Sequence, residues 1–94
     1  MENIDLKEYG PIISDKETGE VIYNLIIKEI KNSKKVSINL GGIKSMATFC
    51  AKQIFGKLYV ELGSEVFFQN IQLENASDDL KTIIKIGIKS ALDE

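Results

Sequence analysis

The sequence contains no histidine, no tryptophan, a single cysteine and a single proline in 94 residues. Without histidine, the commonest general base and every Ser-His or Cys-His nucleophile pair are missing. One cysteine, Cys50, excludes an internal disulfide and fits a reducing compartment. The same shortage removes the preferred ligands of a zinc or other transition-metal site, so neither a metal nor another cofactor is expected. No apolar stretch approaches the roughly eighteen residues of a membrane-spanning helix. Met1-Glu2-Asn3-Ile4-Asp5-Leu6 alternates polar with apolar residues, unlike a signal peptide. A cytoplasmic protein with no membrane contact is the expectation. Charge is also scarce in excess: twelve basic and fourteen acidic residues leave −2. That balance offers no general electrostatic grip on nucleic acid.

Hydrophobic residues make up 44% of the chain, enough for one core in one domain over residues 1–94. A domain of this size has little room for a deep substrate pocket beside its core, which favours binding over catalysis.

Ile4 and Leu6 alternate as a short strand, and Ile12-Ile13 return after Tyr9-Gly10-Pro11 as the second arm of a hairpin. Val21, Ile22, Leu25, Ile26 and Ile30 form a helical stripe over Glu20 to Lys31, with Ser14, Asp15 or Thr18 as the cap. Lys28, Lys31, Lys34 and Lys35 suit the negative end of that helix. Val36, Ile38 and Leu40 give the best strand, ending at Gly41-Gly42-Ile43. A second helix starts near Ala47 or Thr48 with the stripe Ala51, Ile54, Phe55, Leu58, Tyr59 and Leu62, and Gly63 ends it. Val66 to Leu73 is predicted as the last strand, with Phe68 and Ile71 in the core. Asn75 or Ser77 caps a third helix with the stripe Leu80, Ile83, Ile84, Gly87, Ile88 and Leu92. Gly87 inside that helix costs about 1 kcal/mol against alanine, which implies close packing there. The order predicts an α/β sandwich of about four strands in a mixed sheet, parallel at its centre, covered by three helices.

The strongest site candidate is the junction Gly41 to Thr48, because open α/β sheets bind ligands at the carboxyl ends of their strands. Thr48 is expected to cap the second helix, and the glycines lack the Gly-Lys-Ser/Thr ending of a phosphate loop. Ser45, Met46 and Thr48, joined by Asp15 and Lys16 from the charged loop before the first helix, are the residues a partner would meet. Asp15 with Glu17, and Asp78 with Asp79, are explained by helix starts better than by a magnesium site. Lys81, Lys85 and Lys89 form one basic stripe whose bland reading is a solvated helix face. Cys50 reads as a buried thiol, and Phe67-Phe68 as core and cover.

The run Val36-Ser37-Ile38-Asn39-Leu40-Gly41-Gly42-Ile43, then Ser45-Met46-Ala47-Thr48-Phe49 and onward to Leu58, resembles the STAS-like domains. These are relatives of the sulphate transporter and anti-sigma factor antagonist domain, and a bacterial STAS-like family of undefined function is closer still. Ile13 to Gly19 and Ile71 to Ser77 agree with it, in an order that spans residues 9 to 92. The resemblance implies a four-stranded sheet with helices and a non-enzymatic role in protein–protein regulation. In anti-sigma factor antagonists, a serine at this helix start is phosphorylated by a kinase-like ATPase. Here Phe49 stands at that serine position, Thr48 precedes it as the possible phospho-acceptor, Ala47 replaces an acidic residue and Asn39 replaces an aspartate.

The expected function is therefore a non-enzymatic, partner-binding regulatory module, for which the resemblance implies a kinase-like ATPase as a candidate partner. Two alternatives stay open. One is a small nucleotide-binding protein or enzyme using the loop after Leu40. The other is a nucleic-acid accessory protein using the Lys81/Lys85/Lys89 stripe.

Overall fold

The computed structural model describes residues 2–94. Strand β1 (Glu2–Asp5) leads through a 3-10 turn (Lys7–Tyr9) to β2 (Ile12–Ile13) and helix α1 (Lys16–Ser33). β3 (Val36–Asn39) and β4 (Ser45–Met46) follow. Helix α2 covers 48–62 in three parts: α-helical Thr48–Ala51, π-helical Lys52–Gly56 and α-helical Lys57–Leu62. A short α3 (Ser64–Asn70), β5 (Ile71–Glu74) and α4 (Asp78–Leu92) complete the chain.

All pairings are parallel, in two sheets. β3 lies between β1 and β5 in the first, and β2 pairs with β4 in the second. The expected hairpin does not form: β1 and β2 both find partners that follow α1. No two-residue turn joins them, whereas a helix between the strands provides the long crossover that parallel pairing requires. The fold is thus α/β as expected, but the single mixed sheet is replaced by two parallel ones, and four helices are present instead of three.

Side chains alternate across the three-stranded sheet. Ile4, Val36, Ile38 and Ile71 enter the core, where Val36 and Ile38 are fully buried. Asn3, Ser37 and Gln72 form one row on the opposite face, and Asp5, Asn39 and Glu74 form the next.

Three expectations of burial are corrected. Val21 and Leu92 each leave more than half their surface in solvent, and Phe68 is 70% exposed. The segment expected to begin the last strand is helix α3 up to Asn70. It carries Phe67 inward and Phe68 outward, with both rings packed on Tyr59. Adjacent aromatics on opposite sides fit a short helix capping the core edge as well as a strand, so the pattern did not discriminate.

Leu80, Ile84 and Gly87 are the inward face of α4, with Ile83 and Ile88 partly buried beside them. The π turn in α2 is marked by Lys57 N–H reaching the Lys52 carbonyl, five residues back. Gly56, the last residue of that π turn, lies on the face that meets α4.

Candidate functional site

β2 and β4 are two residues each, yet they place two helix starts side by side. Ile12 pairs with Ser45 and Ile13 with Met46. Ala47 N–H then donates to the Ile13 carbonyl at 2.8 Å. Further on, the Cys50 thiol lies 3.6 Å from the Asp15 carbonyl, and Gln53 Nε2 donates to the Lys16 carbonyl at 2.9 Å. The first turns of α1 and α2 are therefore fastened to each other at the carboxyl end of the small sheet. Ser14, Asp15, Lys16, Ser45, Thr48 and Phe49 are exposed around this junction.

Met46 does not belong to that surface. It is 2% exposed and part of the core, because the parallel β2–β4 register turns it inward beside Ile13. Thr48 is exposed, but it does not cap α2. Ala47 occupies the cap position, with no side-chain hydrogen bond, and Thr48 is the first residue inside the helix. Asp15 is the residue that caps: its carboxylate accepts from Thr18 N–H at 3.3 Å and from the Thr18 hydroxyl at 3.0 Å. Its place beside Glu17 is accounted for by this cap. Ser77, not Asn75, caps α4 by accepting from Leu80 N–H. Asn75 instead takes a left-handed conformation and donates to Asn39 Oδ1.

Cys50 is fully buried, and its thiol pKa is pushed up by that burial and by the nearby negative charge of Asp15. A helix start alone would favour the thiolate; desolvation outweighs it here.

Three amides of the loop after Leu40, those of Gly41, Ile43 and Lys44, are engaged within the chain. Gly41 N–H donates to Asn39 Oδ1 at 2.8 Å, Ile43 N–H to the Leu40 carbonyl, and Lys44 N–H to the Pro11 carbonyl at 2.7 Å. Gly42 at φ +85° supplies the left-handed position that this four-residue turn needs. A phosphate cradle requires such N–H groups free and convergent, so this geometry does not favour the nucleotide reading. Lys81, Lys85 and Lys89 are all exposed on α4, well apart in sequence from the α1–α2 junction.

From Phe49 a groove of about 440 Å³ runs along α2. Lys52, Gln53, Lys57 and Val60 line it, and Ala91 closes one side from α4. Phe49 and Val60 each expose just over half of their surface. The charges on its rim are paired, Lys52 with Glu94 and Lys57 with Glu61. Behind Lys57, the Tyr23 hydroxyl donates to Glu61 at 2.7 Å, and the Lys57 ammonium sits 4.3 Å from the Tyr23 ring centre.

A family model described as a STAS-like domain of unknown function (DUF4325) matches residues 18–81, more than half of the chain. The chain belongs to this STAS-like family. The match takes in β3, the Gly41–Gly42 turn, Ser45, Met46, Thr48 and the whole of α2, while Asp15 and Lys16 precede it. Comparison with curated proteins and with solved structures gives no match. No helix among the described residues is long and apolar enough to cross a membrane.

In this STAS-like domain Phe49, placed by the resemblance at the serine position, was not expected among the partner-facing residues, and Gln53 was not singled out. Phe49 lies outside the stripe of Ala51, Ile54, Phe55 and Leu58, and that phase was a usable sign of an outward-facing aromatic. Gln53 gave no sign at all. Its role as the clasp between α1 and α2 comes from tertiary packing against Gly19, where an added Cβ would collide with Gln53 Oε1.

Proposed function

We propose that this STAS-like domain is a protein-binding regulatory module whose docking face is the α1–α2 junction and the start of α2. One observation carries the reading: Phe49, a large apolar side chain, is 53% exposed at the head of a groove, beside a junction whose exposed residues are polar apart from Ile12. An aromatic anchor surrounded by polar residues is the usual composition of an interaction hot spot. Asp15, Lys16, Ser45 and Thr48 make the polar rim, and Met46 supports it from beneath. The partner class implied by the resemblance to anti-sigma factor antagonists is a kinase-like ATPase. Thr48 is the candidate phospho-acceptor, and a phosphate there would add about −1.5 to −2 charge at a helix start, which tolerates it electrostatically. Binding without catalysis also fits the shortage of nucleophile–base pairs.

The test starts with affinity purification from the native host, followed by calorimetric titration of each recovered partner. Phe49→Ala and Thr48→Glu should each weaken binding at least tenfold while leaving the melting temperature nearly unchanged. Undiminished binding by both variants would place the partner elsewhere on the domain.

A further inference from the structure

The outer face of the three-stranded sheet and the lysine stripe of α4 have complementary charge, and neither takes part in the docking face. Asn3, Asp5, Ser37, Asn39, Gln72 and Glu74 make up the outer face, with two carboxylates and no cation among them. Four of the six are exposed. Ser37 is 2% exposed, and its hydroxyl donates to the Glu74 carboxylate. All-parallel sheets are usually covered on both faces, and on this polar side Asn3, Asp5, Gln72 and Glu74 face solvent.

On α4, Lys81, Lys85 and Lys89 are exposed and spaced one turn apart. The acids Asp78 and Asp79 sit in the first turn, where they complement the helix dipole, and leave the later turns cationic. Among the described residues, neither these lysines nor Asp5 and Glu74 join an ion pair. The spacing also agrees. Asp5 and Glu74 stand on strands two ladder steps apart, about 10 Å, and Lys81 and Lys89 are about 12 Å apart along the helix.

We propose that the occupant of the open sheet face is a second copy of this chain, seated through the Lys81/Lys85/Lys89 stripe of its α4. The two patches differ, so the contact is head-to-tail. A patch of three strands by four residues is only about 14 by 13 Å, far below a standard stable interface. Association is therefore weak and driven by charge, so it falls steeply with salt.

A dilution series of nitrogen-15-labelled protein, from about 1 mM to about 20 µM in about 20 mM salt, reads such weak contacts residue by residue. The expected result is concentration-dependent amide shifts confined to 3–5, 37–39, 72–74 and 81–89, and their loss in about 0.5 M salt. The charge-reversed proteins Asp5→Lys/Glu74→Lys and Lys81→Glu/Lys85→Glu/Lys89→Glu should each lose the shifts alone and regain them when mixed. The spectra themselves report whether each variant is folded, and the salt comparison on the unaltered protein requires no variant. Invariant shifts at both patches across the series would overturn the proposal. So would shifts at Phe49 and its groove in place of these patches, or shifts indifferent to salt.

Discussion

Gly56 and Gly87 are pressed together where α2 crosses α4. A Cβ added to Gly56 would lie 2.6 Å from the Gly87 carbonyl oxygen, and one added to Gly87 would lie 2.6 Å from the Ala51 carbonyl carbon. The obstacles are backbone atoms, which cannot rotate aside as a flexible side chain does. The backbones of α2 and α4 thus meet at these two glycines, and Gly56 is the last residue of the π turn in α2.

Gly56→Ala and Gly87→Ala should each destabilise the fold, although both sites are inside helices. Helix propensity alone would favour alanine by about 1 kcal/mol. Overpacking against backbone costs about 1–3 kcal/mol, and with no side chain able to yield it wins. Urea unfolding monitored by circular dichroism gives the sign directly. Higher midpoints in both variants would mean that the helices can separate at little cost.

Tyr23 predicts a loss of stability at high pH. Burial, together with the hydrogen bond to Glu61 and its negative charge, pushes the phenol up to about 12. The folded state therefore holds this proton more tightly than the unfolded chain, whose tyrosine titrates near 10. The stabilisation is complete below pH 10 and is lost as pH rises from there through 12. A loss of about 1–2 kcal/mol is expected once solvent screening at the ring's edge is allowed for. Urea melts at pH 9 and pH 11 should differ more in the unaltered protein than in Tyr23→Phe. Equal slopes in the two would remove Tyr23 from the account.

Much of the fold was legible because local and tertiary demands agree. Ile38 alternates cleanly with polar neighbours and is fully buried in the central strand. Gly63 was legible as a helix end, and it takes φ +83°. Gly87 stood out as an unfavourable residue inside a helix, and the packing against Ala51 explains it. Sheet partnership was not legible. Ile12-Ile13 is apolar in either a hairpin or a parallel pair, and only the position of β4 decides. Around the candidate site the elements were legible, but the exposure of individual side chains was not. Met46 follows exposed Ser45 in a two-residue strand, so one step of register separates an exposed residue from a core residue.

Cys50 should be nearly inert in the folded protein. Its thiol has no exposed surface, and both burial and Asp15 raise its pKa, which reduces the thiolate that attacks disulfide reagents. Reaction with an aromatic disulfide at neutral pH should be slow in buffer and complete within minutes in denaturing urea. Its rate in sub-denaturing urea should track the unfolded fraction. Rapid stoichiometric labelling under native conditions would show that the start of α2 opens far more readily than its contacts imply.

The helix starts give a last contrast, between residues of similar chemistry at neighbouring positions. Thr48 looks like a cap by residue type, yet its hydroxyl has no cap bond and Ala47 holds the cap position. Asp15 and Ser77 do cap, each accepting a backbone N–H three residues on. Removing a functioning cap typically costs about 1 kcal/mol. An exposed first-turn residue without a partner costs about 0.5 kcal/mol or less, and alanine's higher helix propensity offsets part of that. Asp15→Ala and Ser77→Ala should therefore lower stability by about 1 kcal/mol each, while Thr48→Ala stays close to the unaltered protein. The contrast matters for testing the proposed docking face, because it makes Thr48→Ala a clean probe of binding and disqualifies Asp15→Ala as one. Thermal melts of the three variants under one buffer decide it. A drop for Thr48→Ala as large as that for Ser77→Ala would mean that Thr48 contributes to the helix start, and changes in partner binding at this position could then no longer be separated from changes in the fold.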